Sequence, residues 1–540
     1  MVSGSRISVV RPKPQWVRWI VPSIADLLFV ALLGLLAFTN LSVRLLGDAG
    51  IGWHIRTGQI ILATHAVPRV DPFSSSMAGQ PWFAWEWLYD SLVGWLESAA
   101  GLNGVVLFTA LILAAVFSWT FRLLVQRGTN VALALLLVLL AASASMIHFF
   151  ARPHVVSWLY TVAWFWVLEG EEPGSPPRRL LWMLPVSMLV WVNVHGGFLL
   201  GFVLLGIYWA CSVWQWLRVT LRLTEERFDD VLQGIRAGRR VWTLTLTGLL
   251  SAAATLVNPY GFRLHVHIYR YLTNRFLMNH IDEFQSPNFH YVAQKCFAGL
   301  LLLTLVTVAV KGRAVQARHA FIILFSVYAG LYAARNIPVS SLLLILVIGP
   351  VLSEVMDGLG EKSATPRKTV PQPGFVSTTF LQRMKAIEMS LRGHGWAIAA
   401  IGLTCWVAAS GGKLGATQRM DAHFDSKRFP EAAVNYLQQQ NLPGPILSPD
   451  DWGGYFIYRL YPRMKVVVDD RHDFYGEEFL KLYLKMVHVE PDWQEFIQQH
   501  RAGLIVAPKD SALANILLET VGWQAVYRDE VAVVFLRKRT

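Results

Sequence analysis

Apolar residues along this chain come in long unbroken blocks, without the period-2 or period-3.6 interruptions of a soluble fold. The blocks lie at roughly 22–41, 104–121, 130–149, 154–168, 180–194, 197–216, 242–257, 297–310, 320–334, 337–353 and 395–411. Each runs to about 15–25 residues, the length that crosses ~30 Å of hydrocarbon at 1.5 Å per residue. The pattern therefore predicts an α-helical polytopic membrane protein with about 11 transmembrane helices. The tail reads differently. GPILS, GGYFIYRL, KVVVDD, AGLIVAP, WQAVYRD and VAVVFLRK alternate with the amphipathic FYGEEFLKLYLKMV and SALANILLET. That alternation predicts a small α/β domain over 425–540 with a largely parallel sheet. The expected organisation is a membrane domain over 1–353 with a large first loop at 42–103, then a linker at 354–394, a last span at 395–411, and the α/β domain. The linker carries KSATPRKTVPQPG and room for one amphipathic helix. No internal repeat is visible.

Composition agrees with the pattern. Of 540 residues 54% are hydrophobic and 16% charged, too few charges for a soluble chain of this size. The mean hydropathy is +0.40. The 22 Trp and 16 Tyr suit interfacial belts. Three cysteines, Cys211, Cys296 and Cys405, sit in or beside apolar blocks, without disulfide or zinc spacing, and read as small buried hydrophobes. No small-residue cleavage site follows the first block, so it reads as a retained span.

The net charge of +12 has a simple home. If the blocks alternate across the membrane, Arg6, Arg11, Lys13 and Arg18 fall on one side. So do Arg122, Arg127, Arg178 and Arg179, the basic residues of 218–240, then Lys311, Arg313 and Arg318, and those of 354–394. The positive-inside rule makes that side cytoplasmic and places the C-terminal domain outside. No nucleic-acid module is present. The opposite face receives a different set: Asp48, His54, Asp71, Glu86, Arg152, His154, His195, Arg263 and Arg335. Many lie within a turn or two of a span end. Ionisable groups at membrane depth are costly, so a set gathered on one face is a candidate site.

The first loop is the richest segment. GDAGIGWHIRTG (47–58) puts Asp48 just past span one, with His54 and Arg56 close behind. WHIRTGQIILATH reads as a helix along the membrane surface, with Trp53, Ile55, Ile60 and Ile61 facing lipid. VPRVDPFS is a turn, and Asp71 before Pro72 suits it. WFAWEWLYD carries Glu86 into a second surface helix. Asp26, at the inner edge of span one, reads as interfacial or hydrogen-bonded to a neighbour. The carboxylates of DDRHDF (469–474) read first as an internal salt-bridge network holding the C-terminal domain to the membrane part.

With GDAGIGWHIRTG, DPFS, EWL, RPHVVSW (152–158), WVNVHGGF (191–198), LVNPYG (256–261), RNIP (335–338) and GGYFIYRLYPRMKVVVDDRHDFYG (453–476), most of the chain resembles the GT-C superfamily of membrane glycosyltransferases. Within it, the resemblance is to bacterial polyprenyl-phosphate-sugar-dependent enzymes, the mannosyltransferase and aminoarabinose-transferase-like group. That resemblance implies sugar transfer from a polyprenyl-phosphate donor to a glycan, lipid or protein acceptor, with inversion, in a bacterial inner membrane. It makes Asp48 the candidate base and Glu86 or Asp71 a second carboxylate, orienting the acceptor or holding a divalent metal, Mg or Mn, with Asp48. Such transfer needs a base for the acceptor proton and positive charge for the departing phosphate. Arg152, Arg263 and Arg335 fit the second need, since arginine matches phosphate bidentately. Arg56, His54, His154 and His195 are candidate contacts to phosphate or sugar. Two other classes compete. A transporter of lipid-linked sugars predicts paired mid-span charges and inverted repeats, which are not seen. A non-catalytic scaffold of the same fold predicts a dispensable Asp48.

Overall fold

The computed structural model describes residues 16–170, 179–221, 228–363 and 380–538. Arg6, Arg11, Lys13, Arg178 and the middle of the 354–394 linker lie outside the described residues. Every one of the apolar blocks is helical. Arg18–Phe38, Trp87–Gln126, Val131–His148, Gly196–Leu221, Val292–Ala314 and Ala334–Met356 are long and apolar enough to cross a membrane. Leu180–Trp191, Ala317–Tyr332 and Gly395–Ala409 are shorter apolar helices. Of the remaining two blocks, 154–168 falls within His154–Glu169, and 242–257 runs to the end of Phe228–Ala254 and three residues beyond.

Local chemistry sets several helix ends. Ser23 caps Ile24–Phe38 in a reciprocal box with Asp26. Asp26 also accepts from His394 Nδ1 at 2.8 Å, which ties the first span to the start of the last. Asn130 caps Val131–Ser145 through Leu133 N. Trp87–Gln126 joins a surface segment to a span. The two are separated at Gly101, whose φ of +62° is a left-handed value that favours glycine.

The first loop is buried more deeply than its pattern suggests. Helix Ile51–Thr64 packs against Trp87–Gln126 on one side and against Asp450–Leu460 of the C-terminal domain on the other. Trp53, Ile55 and Ile61 are therefore buried in protein, and Ile60 is half-buried; the lipid-facing expectation fails. The approach is close enough to require glycine. A Cβ on Gly52 would lie 2.1 Å from the Gly454 carbonyl oxygen, and one on Gly454 would lie 2.2 Å from that of Ala49.

In the C-terminal domain, a short hairpin of β1 (Lys413–Leu414) and β2 (Thr417–Gln418) follows the last span. A four-stranded sheet is then built from β3 (Ile446–Leu447), β4 (Leu504–Pro508), β5 (Trp523–Arg528) and β6 (Ala532–Arg537), in the order β3-β4-β6-β5. Only β3 and β4 run parallel. The expected largely parallel sheet does not form, because β5 and β6 are joined by a tight turn. Asp529 Oδ1 accepts from both Val531 N and Ala532 N in that turn, which is too short for a crossover. Alternate residues of β4 and β6 serve two cores. Ile505, Ala507, Val533 and Phe535 face one, and Leu504, Val506, Ala532 and Val534 face the other.

KVVV runs extended beside β3, with Val467 N donating to Ile446 O. Its other edge takes the first loop: Val466 N donates to Phe73 O and Ser75 N to Val466 O. The first loop thus lengthens the β-structure of a domain almost four hundred residues later, and the two close over one end of the helix bundle.

Candidate functional site

Where the first loop, the helix ends and the C-terminal domain meet there is a cavity of about 720 Å3. Asp48 and Glu86 come from the loop, Arg152, His154, His195 and Arg335 from helix ends, and Asp470 and Asp473 from the C-terminal domain. The cavity continues between membrane helices along an apolar wall that includes Leu199, Leu200, Val203, Phe325, Tyr328 and Val339. It is charged at one end and oily along its length.

Asp48 follows the short helix Leu41–Leu45, and its Oδ1 accepts from Gly50 N at 2.9 Å. Its Oδ2 lies 3.4 Å from Arg152 Nε. Arg152 bridges to Asp470 at 3.0 Å, and Asp470 also accepts from Trp53 Nε1 at 2.9 Å. The guanidinium occupies the space that a Cβ on Gly50 would fill. Burial pushes the Asp470 carboxyl up to about 6, against the pull of Arg152.

Glu86 sits at the start of helix Trp87–Gln126, between two imidazoles. Its oxygens lie 3.8 Å from His54 Nε2 and 3.8 Å from His195 Nε2. Hydrogen bonds define the His195 tautomer. His195 Nδ1 accepts from Gly197 N and from Ser157, whose own oxygen accepts from Trp191 Nε1. Its Nε2 therefore carries the proton and faces Glu86. Burial, and then Arg152, hold His54 well below its usual range, so it is neutral. Its Nδ1 lies 2.6 Å from Asp90 Oδ1, and burial pushes the Asp90 carboxyl well up as well. One oxygen of Glu86 thus faces the His195 Nε2–H. Burial raises the Glu86 pKa to about 8 against the opposing field of Arg152.

Three further pairs ring the cavity. Arg335 meets Glu283 at 3.3 Å and lies over the Phe284 ring. Burial favours the neutral form of Glu283, but Arg335 outweighs it and holds the carboxyl down at about 2. Asp473 accepts from His267 Nε2 at 3.0 Å, and this bond holds its pKa low against burial. His472 pairs with Asp450 at 2.5 Å, and the bond raises the imidazole to about 8 despite its burial. His154 lies in the lining, with Nε2 donating to the His148 carbonyl at 2.8 Å.

The structure gathers Asp48, Glu86, Arg152, His154, His195 and Arg335 around one space, with His54 directly behind it. Three other sequence candidates lie elsewhere. Asp71 is buried against Arg471 at 2.8 Å. Arg471 also binds Asp469 through Nε and Nη2, and its guanidinium lies over Trp82. Arg56 donates from Nε to the Tyr458 carbonyl at 2.9 Å, joining the first loop to the C-terminal domain. Arg263 is exposed in the first turn of Phe262–Thr273. Within DDRHDF, Asp469 and Arg471 make the structural network, while Asp470, Arg471, His472 and Asp473 line the cavity. Glu283, His267 and Ser157 were not anticipated, and no local motif marks them.

A divalent ion would need free carboxylate oxygens. Both oxygens of Asp48 are engaged, by Gly50 N and Arg152, and Glu86 faces two imidazoles at longer range. Among the described residues no group of three or more His, Cys, Asp and Glu is placed to hold a metal. This donor set does not fit a resident ion, and no step is derived through one.

No protein-family model and no curated protein sequence matches the chain. Solved structures do. The Archaeoglobus fulgidus oligosaccharyltransferase, tethered with an acceptor peptide containing the NVT sequon, is 13% identical with a TM-score of 0.51, over 96% of this chain and 73% of that one. Its apo form gives 12% and 0.49, over 98% and 75%. ArnT from Cupriavidus metallidurans bound to undecaprenyl phosphate gives 14% and 0.46, over 95% and 96%. At 13% identity, the match to the Archaeoglobus fulgidus oligosaccharyltransferase shows that this chain shares its fold.

Proposed function

We propose that the chain is a membrane glycosyltransferase that moves a sugar from a polyprenyl-phosphate donor to an acceptor hydroxyl or amide at the cavity. The observation that carries this reading is the polarity of the cavity: an apolar wall between membrane helices that meets guanidinium groups and carboxyls. An amphiphile with an anionic head fits such a space; a free sugar nucleotide leaves the wall unused. The likeness to an oligosaccharyltransferase supports the same reading.

In this proposal the donor phosphate meets Arg335 and Arg152. The Arg335–Glu283 pair is the more exposed, so phosphate displaces Glu283 at lower cost. Asp48 accepts the acceptor's proton as the nucleophile attacks the anomeric carbon. Arg152 holds its carboxylate in place, and the phosphate leaves as an anion that needs no proton. Neutral Glu86 donates a hydrogen bond to a substrate hydroxyl, with His195 Nε2–H beside it. The resemblance to inverting enzymes leads us to write the transfer as a single displacement. The cytoplasmic placement of the basic end belongs to the same proposal.

The test is transfer of radiolabelled sugar from a panel of polyprenyl-phosphate sugars to membrane extracts, with Asp48→Asn compared at equal protein level. A loss of about 100-fold or more is expected for a missing base. Equal rates in the two proteins would remove Asp48 from the chemistry, and normal cellular function of Asp48→Asn would favour a scaffold.

A further inference from the structure

Helix Phe262–Thr273 lies between the apolar block 242–257 and the span Val292–Ala314, and its two faces differ. The inner face packs into the molecule. Leu264 and Ile268 are buried, and His267 bonds Asp473 of the C-terminal domain. Ile268, Tyr271 and Leu272 line the main cavity. The first turn is pinned at the level of the span ends. His265 Nε2 lies 2.9 Å from the Thr255 hydroxyl, just past Phe228–Ala254, and its ring meets Phe198 at the start of Gly196–Leu221.

The outer face carries two stripes. At 3.6 residues per turn, positions 262, 266, 269 and 273 fall on one of them. Phe262 and Tyr269 on that stripe are 68% and 69% exposed, and Leu272 beside it is exposed as well. Arg263 and Arg270, seven residues apart, form the adjoining stripe, and both are exposed. Neither lines the cavity, and neither has an ion pair among the described residues. From Asn258 to Ile281 the chain has no Asp or Glu, and all of this stretch is described. Of the carboxylates that follow, Asp282 is exposed and Glu283 is held by Arg335. Exposed rings beside unpaired guanidinium groups, level with the span ends, suit the boundary between headgroups and acyl chains. There the rings leave water and the arginines reach back to it.

We propose that this helix lies in the headgroup layer of the leaflet on the main-cavity side, with Phe262 and Tyr269 in the acyl boundary and Arg263 and Arg270 on the phosphates of anionic lipids. Guanidinium groups match phosphate oxygens bidentately. A zwitterionic surface would accept the rings but has no net attraction for the arginines, so the charge selects anionic lipid. Arg263, which the sequence marked for a donor phosphate, meets a phosphate of the bilayer instead. The proposal does not depend on the transferase reading, since both arginines stand outside the cavity lining.

The experiment uses the full chain without Cys211, Cys296 and Cys405, reconstituted into liposomes of phosphatidylcholine and phosphatidylglycerol. A fluorophore on Thr273→Cys sits on the aromatic stripe and leaves both rings and both arginines in place. Thr273 is exposed, and its hydroxyl bonds only to carbonyls of its own helix. Brominated acyl chains should quench this label at least about twofold more strongly than one on Val521→Cys, an exposed position of the C-terminal domain. Equal quenching at the two positions would place the helix in water and overturn the proposal. At equal mole fraction, brominated phosphatidylglycerol should quench the Thr273→Cys label at least about twofold more strongly than brominated phosphatidylcholine. Arg263→Gln with Arg270→Gln should remove that preference, and the paired Lys replacements should keep most of it. Both arginines are exposed, so these changes remove charge without opening the core. Absence of the preference in wild type, or its survival in the glutamine pair, would overturn the assignment to anionic lipid.

Discussion

Glu86 is the residue whose setting says most about the chemistry. Its pKa of about 8 lies above the 4.5 of an unstructured glutamate, so the folded state holds an extra proton between those values. The stability tied to that proton is complete below about pH 4.5 and is lost as pH rises through about 8. Glu86→Gln keeps a neutral amide in the same place and removes the titration. The variant should therefore melt higher relative to wild type at pH 9 than at pH 6, measured by thermal unfolding in one detergent. A constant difference across that range would mean that Glu86 is ionised throughout. If the neutral carboxyl is what acts, wild-type transfer should also fall above pH 8, while Glu86→Gln should keep a lower but flat rate. Local spacing marked Glu86 as a candidate, yet not its state. The two imidazoles beside it come from residues 54 and 195, and the Ser157–Trp191 relay that orients one of them leaves no trace in any short motif.

At the scale of elements, helix Ile51–Thr64 shows how far periodicity reaches. Its apolar face was legible; what covers it was not, since lipid and protein demand the same residues. The covering surface, Asp450–Leu460, arrives four hundred residues later, and the only local sign of it is a pair of glycines. Gly454→Ala would drive a Cβ to 2.2 Å from the carbonyl of Ala49, the neighbour of Asp48. Overpacking of this kind costs about 1–3 kcal/mol. The expected outcome is a lower melting temperature together with a fall in transfer that substrate saturation does not rescue, because Asp48 itself is displaced. Unchanged melting would mean that the two helices part easily and that the glycines are not needed for their contact. The sheet holds a similar lesson. Short apolar runs alternating with helices suggested parallel pairing, but the three residues between β5 and β6 decided the direction, and turn length outranks the wider pattern.

For the whole molecule, the sequence speaks most clearly through its blocks of about twenty apolar residues, each helical in the structure, and through the distribution of charge between them. Lys and Arg collect at one end, where Glu169 and Glu388 pair with several of them; at the other, carboxylates, imidazoles and arginines converge on the main cavity. If the positive-inside rule governs this chain, the end with Arg313 faces the cytoplasm and the C-terminal domain faces out. In a background without Cys211, Cys296 and Cys405, Val521→Cys, at an 87% exposed position, should react with a membrane-impermeant maleimide on intact cells. Arg313→Cys should react only after permeabilisation. The reverse pattern would place the main cavity at the cytoplasmic leaflet. The donor would then have to present its head on that side, and the acceptor would be a cytoplasmic molecule. Labelling of both positions in intact cells would show mixed insertion, and the basic loops would not control orientation.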